Sequence, residues 1–521
     1  MSLESRDQVA SARILASMAV GALVVCCAEE PAGPAVDPSD TGDSSSQVTS
    51  VEILSAVTPE IQVGGTLQLS VEIRDAAGSV LSDRAVLWTS TDPTVATVDN
   101  AGVVSGVAEG VASVAAESEG ISGVISVTVP PLPPLAVVTG HLFSCALDTE
   151  RYAHCWGHNF AGKLGNASVD PVQDTLSDVP VAVSGGMRFN DLVAAGSHAC
   201  GLTPDGEAYC WGYARYGQLG TATPQVCYSI NTTPIECSFV PVEVSGGHRF
   251  RQLAAGTLPF VCGLTVDRET YCWGSNEYQQ LGTESGDLCG PSSVDCSVTP
   301  MAVNAAPVFE FISAGLWHVC GVTNDREVYC WGVNQNAVFG NGSTESASEP
   351  TPVSNWPVLT RILGGSDFSC GLTLSGQAWC AGDNGLGELG SGTQNNSATP
   401  IAVAGGLTFT SLSTQRENSV IGHACGIGTD GAAYCWGANT HGQLGVAQTF
   451  GFCSFNQQQL PCNREPIAVT GGIEFEVLSA GNEHTCGRTV SDDVYCWGRN
   501  DFGQLGDGTR DDRVAPVRVK M

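Results

Sequence analysis

The chain has 521 residues, of which 42% are hydrophobic and only 14% are charged, and its formal net charge is −32. This length is more than one hydrophobic core usually serves, so we expect at least two folded units. So negative a surface repels phosphate backbones and anionic lipid head groups, which argues against nucleic-acid binding and electrostatic membrane binding. The 22 cysteines indicate an oxidising compartment, because disulfides are rare in a reducing cytosol.

An apolar run lies near the start of the chain. It extends over Ile14–Val25, which suits the core of a signal peptide and is too short to span a bilayer. Cys26 and Cys27 end the run. This arrangement resembles a bacterial lipoprotein signal, with Cys27 or else Cys26 as the lipidated residue, and plain secretion is the alternative. We therefore expect export, a signal peptide over residues 1–27, a disordered acidic tether over residues 28–47, and membrane association only through a lipid anchor.

Alternating hydrophobic patterns predict strands in the cysteine-free segment 48–129. Apolar and polar residues alternate over Leu67–Ile73 and again over Ile125–Val129, which predicts strands with one buried face. Three motifs lie between them: Trp88-Thr89-Ser90, Val95-Ala96-Thr97-Val98 and Gly102-Val103-Val104-Ser105-Gly106. This order resembles the bacterial immunoglobulin-like group 2 domain, which implies a β-sandwich acting as a spacer or an adhesion module. Residues 130–134 are rich in proline and are predicted to form a stiff linker.

A cysteine motif repeats through residues 135–521. Cys-x9-Cys occurs seven times: Cys145/Cys155, Cys200/Cys210, Cys262/Cys272, Cys320/Cys330, Cys370/Cys380, Cys425/Cys435 and Cys486/Cys496. In the second copy Pro204-Asp205-Gly206 predicts a turn between two strands, so the two cysteines face each other across a hairpin at disulfide distance. A metal site would need four converging ligands, which isolated pairs do not supply. The motif therefore predicts one disulfide in each of seven blades.

Six further cysteines lie in the three longest intervals between repeats. They are predicted to pair as Cys227/Cys237, Cys289/Cys296 and Cys453/Cys462. Each pair follows a Gly-Gln-Leu-Gly-like segment of its repeat, so the three loops should emerge at equivalent positions as insertions closed by a disulfide.

The surroundings of each cysteine pair also repeat. The consensus is Trp-Gly-x-Asn-x-x-Gly-Gln-Leu-Gly, as in Trp436–Gly445, followed by a Pro-x-x-Val strand and a His-x-Cys approach. This pattern resembles the regulator of chromosome condensation family, which implies a seven-bladed β-propeller over residues 135–521. The predicted fold class is thus all-β, with an N-terminal Ig-like β-sandwich. Since Pro516 begins a strand that no hairpin follows, we expect the C-terminal strand to complete the first blade and close the ring.

Two motifs imitate nucleotide-binding sites. Gly157–Lys163 matches the start of a phosphate-binding loop and Gly385–Gly390 matches a dinucleotide fingerprint, but both lie in the repeat register and neither opens a helix. Histidines and tryptophans that recur from blade to blade are read as packing or hydrogen-bonding groups: His198, His318, His423, His484, Trp156, Trp211, Trp273, Trp331, Trp436 and Trp497. The sequence offers no candidate catalytic residue, cofactor site or metal site, so we predict that the chain is not an enzyme.

These observations predict a monomeric recognition protein of the bacterial cell envelope or surface. Its propeller loops, including the three insertions, would bind a protein or glycan ligand, and rigid loops lose less entropy on binding. The resemblance also implies guanine-nucleotide exchange, an alternative that the predicted export and the charge disfavour. A polysaccharide-active hydrolase or lyase is a further alternative, which would require a groove with clustered carboxylates or a metal.

Overall fold

The computed structural model describes residues 47–55, 59–167, 176–222, 225–228, 234–416, 421–447 and 451–521. The predicted signal peptide with Cys26 and Cys27, and all of the predicted tether except Gln47, lie outside these residues. The described residues form β-strands and two short 3-10 turns, Phe160–Gly162 and Ala404–Gly406, which confirms the all-β prediction. In this part of the chain no helix is long and apolar enough to cross a membrane.

The N-terminal domain has eight strands in three small sheets. In chain order they are β1 Ser50–Leu54, β2 Thr66–Gln68, β3 Ser70–Arg74, β4 Leu87–Ser90, β5 Ala96–Val98, β6 Val103–Gly106, β7 Gly110–Ser118 and β8 Ile121–Val129. The sheets are β1-β3, β2-β6-β5 and β4-β7-β8. Alternate residues of these strands, such as Ile73, Val104, Val114 and Val127, are buried in one core with Trp88. This arrangement is the predicted sandwich.

One predicted strand of this domain is split in two. The alternating run over Leu67–Ile73 divides at Leu69, and its two halves pair with strands of different sheets. At the break the Leu69 amide donates to the Gly102 carbonyl at 3.0 Å, and the Gln68 side-chain amide donates to the Ala101 carbonyl at 2.9 Å. The chain therefore changes sheets without leaving an unsatisfied amide, while Leu69 stays in the core.

Seven consecutive blades follow the linker, and each has four antiparallel strands in chain order. The first strands are Val137–Gly140, Asp191–Ala195, Phe250–Gly256, Phe309–Ala314, Leu359–Gly364, Phe409–Thr414 and Phe475–Ala480. The second strands are Phe143–Leu147, His198–Leu202, Phe260–Thr265, His318–Thr323, Phe368–Thr373, His423–Gly428 and His484–Thr489. The third strands are Ala153–His158, Ala208–Tyr213, Thr270–Ser275, Val328–Gly332, Ala378–Gly382, Ala433–Ala438 and Val494–Gly498. The fourth strands are Leu176–Ala182, Pro234–Glu243, Val294–Ala302, Ala347–Val353, Ser397–Ala402, Gln458–Ala468 and Arg513–Arg518.

The ring closes differently from the prediction. The first strand of each blade contacts the first strand of the next blade, and that of blade 7 contacts that of blade 1. The C-terminal strand Arg513–Arg518, however, pairs with Val494–Gly498 of blade 7 and not with blade 1. Blade 1 is already complete, because the short strand Val137–Gly140 supplies its inner edge. The expectation that the C-terminal strand completes the first blade was therefore wrong.

Side chains join blades 7 and 1 in place of a shared sheet. The Thr139 and Ser479 hydroxyls lie 2.8 Å apart, and the Ser144 hydroxyl lies 2.9 Å from the His484 imidazole Nε2. The buried Arg488 guanidinium also donates to the Leu147 carbonyl of blade 1. The seam is thus held by buried hydrogen bonds, which are stronger inside a protein than in water.

The recurring tryptophans also connect blades. Each of the six indole N–H groups donates to a backbone carbonyl in the Gly-Gln-Leu-Gly-like turn of the preceding blade, at 2.8–3.1 Å. Trp156 reaches blade 7 in this way, through the Gln504 carbonyl, and so contributes to ring closure. In blade 5 Ala381 replaces the tryptophan, and Trp356 donates instead to Phe339 at 2.8 Å. These residues are structural, as the repeat pattern indicated.

The cysteines lie where the hairpin argument placed them. The two members of every Cys-x9-Cys pair face each other between the second and third strands of a blade, with Cα atoms 4.0–4.1 Å apart. The seven hairpin disulfides are Cys145/Cys155, Cys200/Cys210, Cys262/Cys272, Cys320/Cys330, Cys370/Cys380, Cys425/Cys435 and Cys486/Cys496. Cys289/Cys296 and Cys453/Cys462 are also joined. Cys237 is disulfide-bonded too, but the side chain of its predicted partner Cys227 lies outside the described residues.

Each blade also has a β-bulge that the hairpin argument did not predict. Directly after the second cysteine, one residue of the third strand lies opposite three residues of the fourth, as between the pairs Cys155 with Val181 and Gly157 with Ser177. The shifts lie at Cys155/Gly157, Cys210/Gly212, Cys272/Gly274, Cys330/Gly332, Cys380/Gly382, Cys435/Gly437 and Cys496/Gly498. Pro180 lies in the extra stretch of blade 1, where a residue without an N–H group suits a break in the ladder. The third strand of each blade therefore pairs regularly with the second strand, whereas its pairing with the fourth strand is interrupted directly after the second cysteine.

The three insertions form equivalent structures. Blades 2, 3 and 6 each gain a fifth strand at the outer edge: Gln225–Tyr228, Asp287–Cys289 and Gly451–Phe455. Each pairs with an extension of the fourth strand, and the second cysteine of each insertion pairs with the residue two positions after the blade's tryptophan: Cys237 with Tyr213, Cys296 with Ser275 and Cys462 with Ala438. The predicted equivalence is confirmed.

Candidate binding face

The strand order gives the propeller two distinct faces. The loops between first and second strands and between third and fourth strands share one face with the insertions, which we call the insertion face. The turns between second and third strands lie on the opposite face. The Ig-like domain contacts that opposite face, where Asp205 accepts hydrogen bonds from the Thr66 backbone amide at 2.7 Å and its hydroxyl at 3.1 Å. Gly65 packs against Pro204, since a Cβ there would lie 2.7 Å from the Pro204 carbonyl oxygen.

The four repeated histidines are interior groups rather than site residues. The Nε2 atoms of His318, His423 and His484 lie 2.8–3.0 Å from a hydroxyl in the next blade around the ring. Burial lowers the pKa of His198 and His318 to about 4 and of His423 and His484 to about 3. They are therefore neutral near pH 7.

The two nucleotide-like motifs are built as structural turns. Lys163 is buried, and its Nζ donates to the His141 carbonyl at 2.6 Å and lies 5.0 Å from the centre of the Phe143 ring. In the second motif Glu388 is buried, and its carboxyl accepts from the Leu386 amide at 2.8 Å. Burial, followed by the nearby Asp383, raises the pKa of Glu388 to about 8. Both side chains occupy the glutamine position of the repeat.

Five half-buried aromatic rings form a continuous row on the insertion face, which we call the aromatic tract: Phe502, His158, Phe160, Tyr213 and Tyr216. It runs from blade 7 through blade 1 to blade 2. Ring centres along it are 5.0 Å apart at the first contact and 6.1–6.3 Å at the other three. Burial and, after it, Lys163 lower the pKa of His158 to about 4, so this ring is uncharged near pH 7.

Two insertions support three rings of the aromatic tract. Phe160 and Tyr213 pack against Ile235, Cys237 and Phe239 of the blade 2 insertion and its fourth strand. Tyr216 lies beside the blade 3 insertion, where a Cβ at Gly290 would be 3.3 Å from the tyrosine ring. The insertions therefore hold Phe160, Tyr213 and Tyr216 in place, which lowers the entropy cost of using these rings for binding.

A second aromatic contact lies farther round the same face. Tyr278, in the loop after the third strand of blade 3, stacks on Trp317 of blade 4 with ring centres 5.2 Å apart. The equivalent contact between blades 4 and 5 is a 2.8 Å hydrogen bond from Asn336 to Asp367. Between blades 6 and 7 the equivalent residue His441 lies 3.7 Å from Glu483. Equivalent positions thus carry different chemistry from blade to blade.

Charge is distributed unevenly over the insertion face. In the described loops of blades 3 to 5 and in the blade 3 insertion there are seven carboxylates besides the buried Glu388, and no lysine or arginine. We call this region the acidic sector: Glu277, Glu284, Asp287, Asp295, Glu345, Asp367 and Asp383. None of the seven forms an ion pair in the part of the chain that the structure describes. In blade 7, by contrast, Glu483 pairs with Arg499 at 2.5 Å and Asp507 pairs with Arg513 at 2.8 Å. The described residues hold no group of three or more His, Cys, Asp and Glu placed for a metal ion.

Sequence reasoning predicted that the three insertions emerge at equivalent positions but missed the aromatic tract. Its residues occupy the variable positions of the Trp-Gly-x-Asn-x-x motif, where we looked only for repeated residues. The signal that could have revealed the tract was the presence of aromatic side chains at positions that do not repeat, in three adjacent blades.

Comparison with known proteins identifies the propeller. Residues 117–450 match the RCC1-like domain, and residues 430–487 and 491–521 match the regulator of chromosome condensation (RCC1) repeat. The chain belongs to the RCC1-like domain family. Residues 47–129 match the bacterial Ig-like domain (group 2). This match agrees with the resemblance inferred from the order of motifs in segment 48–129.

Among curated proteins this RCC1-like chain is similar to the ultraviolet-B receptor UVR8 of Arabidopsis thaliana, with 26% identity over 76% of this chain and 83% of the receptor. It is 30% identical to the E3 ubiquitin-protein ligase HERC2 of Homo sapiens. The matched region is 41% of this chain and only 4% of the ligase. The crystal structure of human WBSCR16 superimposes with a TM-score of 0.57 at 18% identity, covering 71% of this chain and 94% of that one. This likeness supports the propeller fold alone.

Proposed function

We propose that this RCC1-like chain is an exported recognition protein that binds a protein partner through its insertion face and performs no catalysis. The observation that carries the proposal is the aromatic tract, because five partly accessible rings form one row and three of them pack against the blade 2 and blade 3 insertions. Aromatic residues on rigid supports are typical anchors of protein interfaces, since they bury a large area and lose few rotamers.

The cysteine pairing supports the proposed export. Seven hairpin disulfides and the insertion disulfides would not persist in a reducing cytosol. We further propose that residues 1–27 are a signal peptide and that Cys27 or Cys26 carries a lipid. The lipid would attach the mature chain to the cell envelope, and loss of this anchor would leave a secreted protein with the same binding face.

The Ig-like domain supports this orientation. It lies between the proposed anchor and the propeller, and it contacts the face opposite the insertions through Thr66 and Asp205. An anchor at the N-terminal end therefore leaves the insertion face accessible. In this proposal the Ig-like domain is a spacer that holds the propeller away from the envelope.

Site-specific photo-crosslinking in the native cell tests the proposal. A photoreactive residue at Phe502 or Tyr278 samples the insertion face, and one at Leu374, an exposed hydrophobic residue in a turn of the opposite face, is the matched control. We expect a shared protein adduct from the first two positions and none from the control. Adducts from Leu374 alone would contradict the proposal.

A further inference from the structure

We propose that the partner of the insertion face is a protein segment in which lysine or arginine residues stand beside aromatic or aliphatic residues. Its apolar side chains would lie on the aromatic tract and its cations would lie over the acidic sector. This inference rests on the proposed function, because it specifies the chemistry of the partner at that same face.

The aromatic tract selects for apolar side chains. Phe160 and Phe502 carry no charge, burial keeps His158 in its neutral form, and burial also raises the pKa of Tyr213 above its usual value. The Tyr216 and Phe502 rings at its two ends are half-buried. Covering such rings removes apolar surface from water, and aromatic or aliphatic groups do so without leaving a polar group unpaired.

The acidic sector selects for cations. Its carboxylates make no ion pairs within the described residues, whereas Arg499 alone contacts both Glu483 and Asp501 in blade 7. Glu277, Glu284 and Asp287 lie on the loop and insertion of blade 3. Arg215 of blade 2 packs against Gly290 of the blade 3 insertion, and Arg464 of blade 6 packs against Gly387 of blade 5, but neither forms an ion pair with the sector within the described residues. Carboxylates without a paired cation repel one another, and an incoming cationic segment relieves that repulsion and is attracted over a distance.

The two regions are adjacent, so one segment can reach both. Tyr216, the last ring of the tract, touches the blade 3 insertion at Gly290. The same insertion carries Asp287, the nearest carboxylate of the sector along the chain. Beyond it the stacked pair Tyr278 and Trp317 offers π faces among the carboxylates, and such faces attract lysine and arginine side chains.

Two synthetic peptides of equal length test the inference against the full mature chain, one alternating Trp with Arg and one alternating Trp with Glu. We expect the Trp/Arg peptide to bind at least about tenfold more tightly at low ionic strength, with the ratio falling as salt rises. Replacing the tract ends, Tyr216→Ala with Phe502→Ala, should weaken the Trp/Arg peptide about tenfold.

Matched charge variants separate local recognition from the overall negative charge. Glu277→Gln with Asp287→Asn removes two exposed carboxylates from the sector, and Asp267→Asn with Asp325→Asn removes two from turns of blades 3 and 4 on the opposite face. We expect the first variant to weaken the Trp/Arg peptide about fivefold and the second less than about twofold. Equal losses in the two variants would overturn the inference, because attraction would then reflect net charge alone.

A third probe covers a different class of partner. The probe is a neutral oligosaccharide such as cellohexaose. The inference is overturned in favour of a glycan if this oligosaccharide binds, if its binding depends on Tyr216 and Phe502, and if the Trp/Arg peptide does not bind. Failure of the proposed function looks different, since photo-crosslinks would then arise from Leu374 and not from the insertion face.

Discussion

The interior of the propeller and the insertion face follow opposite rules. Inside the blades the same residue recurs at the same place, as in the tryptophan that joins six of the seven blades to a neighbour or the hairpin cysteines present in all seven. On the insertion face, equivalent positions hold Tyr278 in one blade, Asn336 in the next and His441 in another. Repetition therefore marks the residues that build the ring, and departure from repetition marks the surface available for recognition.

Tryptophan substitutions test this comparison with the largest expected effect. Trp436→Ala removes a fully buried ring and its 2.8 Å hydrogen bond to the Glu388 carbonyl, so the free energy of unfolding should fall by about 3–5 kcal/mol. Trp317→Ala, at the half-buried rim, should cost less than about half as much. Chemical denaturation of both variants measures the difference, and equal losses would contradict the division into interior and face.

Disulfide removal should give the next largest effect. Cys425→Ser with Cys435→Ser opens a hairpin loop of the interior, which should lower the free energy of unfolding by about 3 kcal/mol. Cys289→Ser with Cys296→Ser opens the blade 3 insertion and should mainly loosen Tyr216. Thermal unfolding should therefore show the larger loss of stability in the Cys425/Cys435 variant, whereas binding of the Trp/Arg peptide should weaken in the Cys289/Cys296 variant. A large unfolding loss without a binding loss in the second variant would contradict the supporting role of the insertion.

Glu388 is an exception to the repeat inside the propeller. In the folded chain its pKa is about 8, above the value of an unfolded glutamate, so at pH 7 folding requires protonation of the carboxyl. Its destabilising effect is absent below about pH 4 and grows until about pH 8. Glu388→Gln, which restores the residue of other blades, should stabilise the chain at neutral pH by on the order of 2 kcal/mol and not at pH 4. Gln443→Glu is the reciprocal control and should destabilise.

The buried histidines give the smallest effect per residue. The folded-state pKa of His423 is about 3, below that of an unfolded histidine, so the unfolded chain binds more protons as the pH falls below about 6.5. Stability should therefore decrease on acidification. His423→Gln should reduce the loss between about pH 7 and pH 5.5 by about 1 kcal/mol, as measured by urea unfolding at each pH. An unchanged pH dependence would show that this histidine is not neutral inside the fold.

The sequence predicted the fold where a local rule decides it. The Cys-x9-Cys spacing fixes a hairpin because both cysteines must lie on one side of paired strands, and the alternating runs of the Ig-like domain fix its buried faces. The same spacing carries no information about the fourth strand, so the β-bulge after each second cysteine was not predicted. Ring closure was mispredicted because the Pro-x-x-Val segment was taken as the strand that precedes each hairpin. It is instead the fourth strand that follows a hairpin, and the first strand Val137–Gly140 carries no such motif.

The aromatic tract was missed for a different reason. Phe502, His158 and Tyr213 meet only when blades 7, 1 and 2 become neighbours. This contact is a long-range consequence of ring closure, and local patterns do not contain it.

The measurement that tests the account most directly is thiol alkylation of the chain isolated from its native envelope, followed by intact mass and peptide mapping. Of the 22 cysteines, all except Cys26 and Cys27 belong to the predicted propeller pairs. The account predicts that none of these propeller cysteines is alkylated before reduction and that all are alkylated afterwards. Free thiols at the hairpin pairs would contradict export and favour the cytosolic exchange-factor alternative.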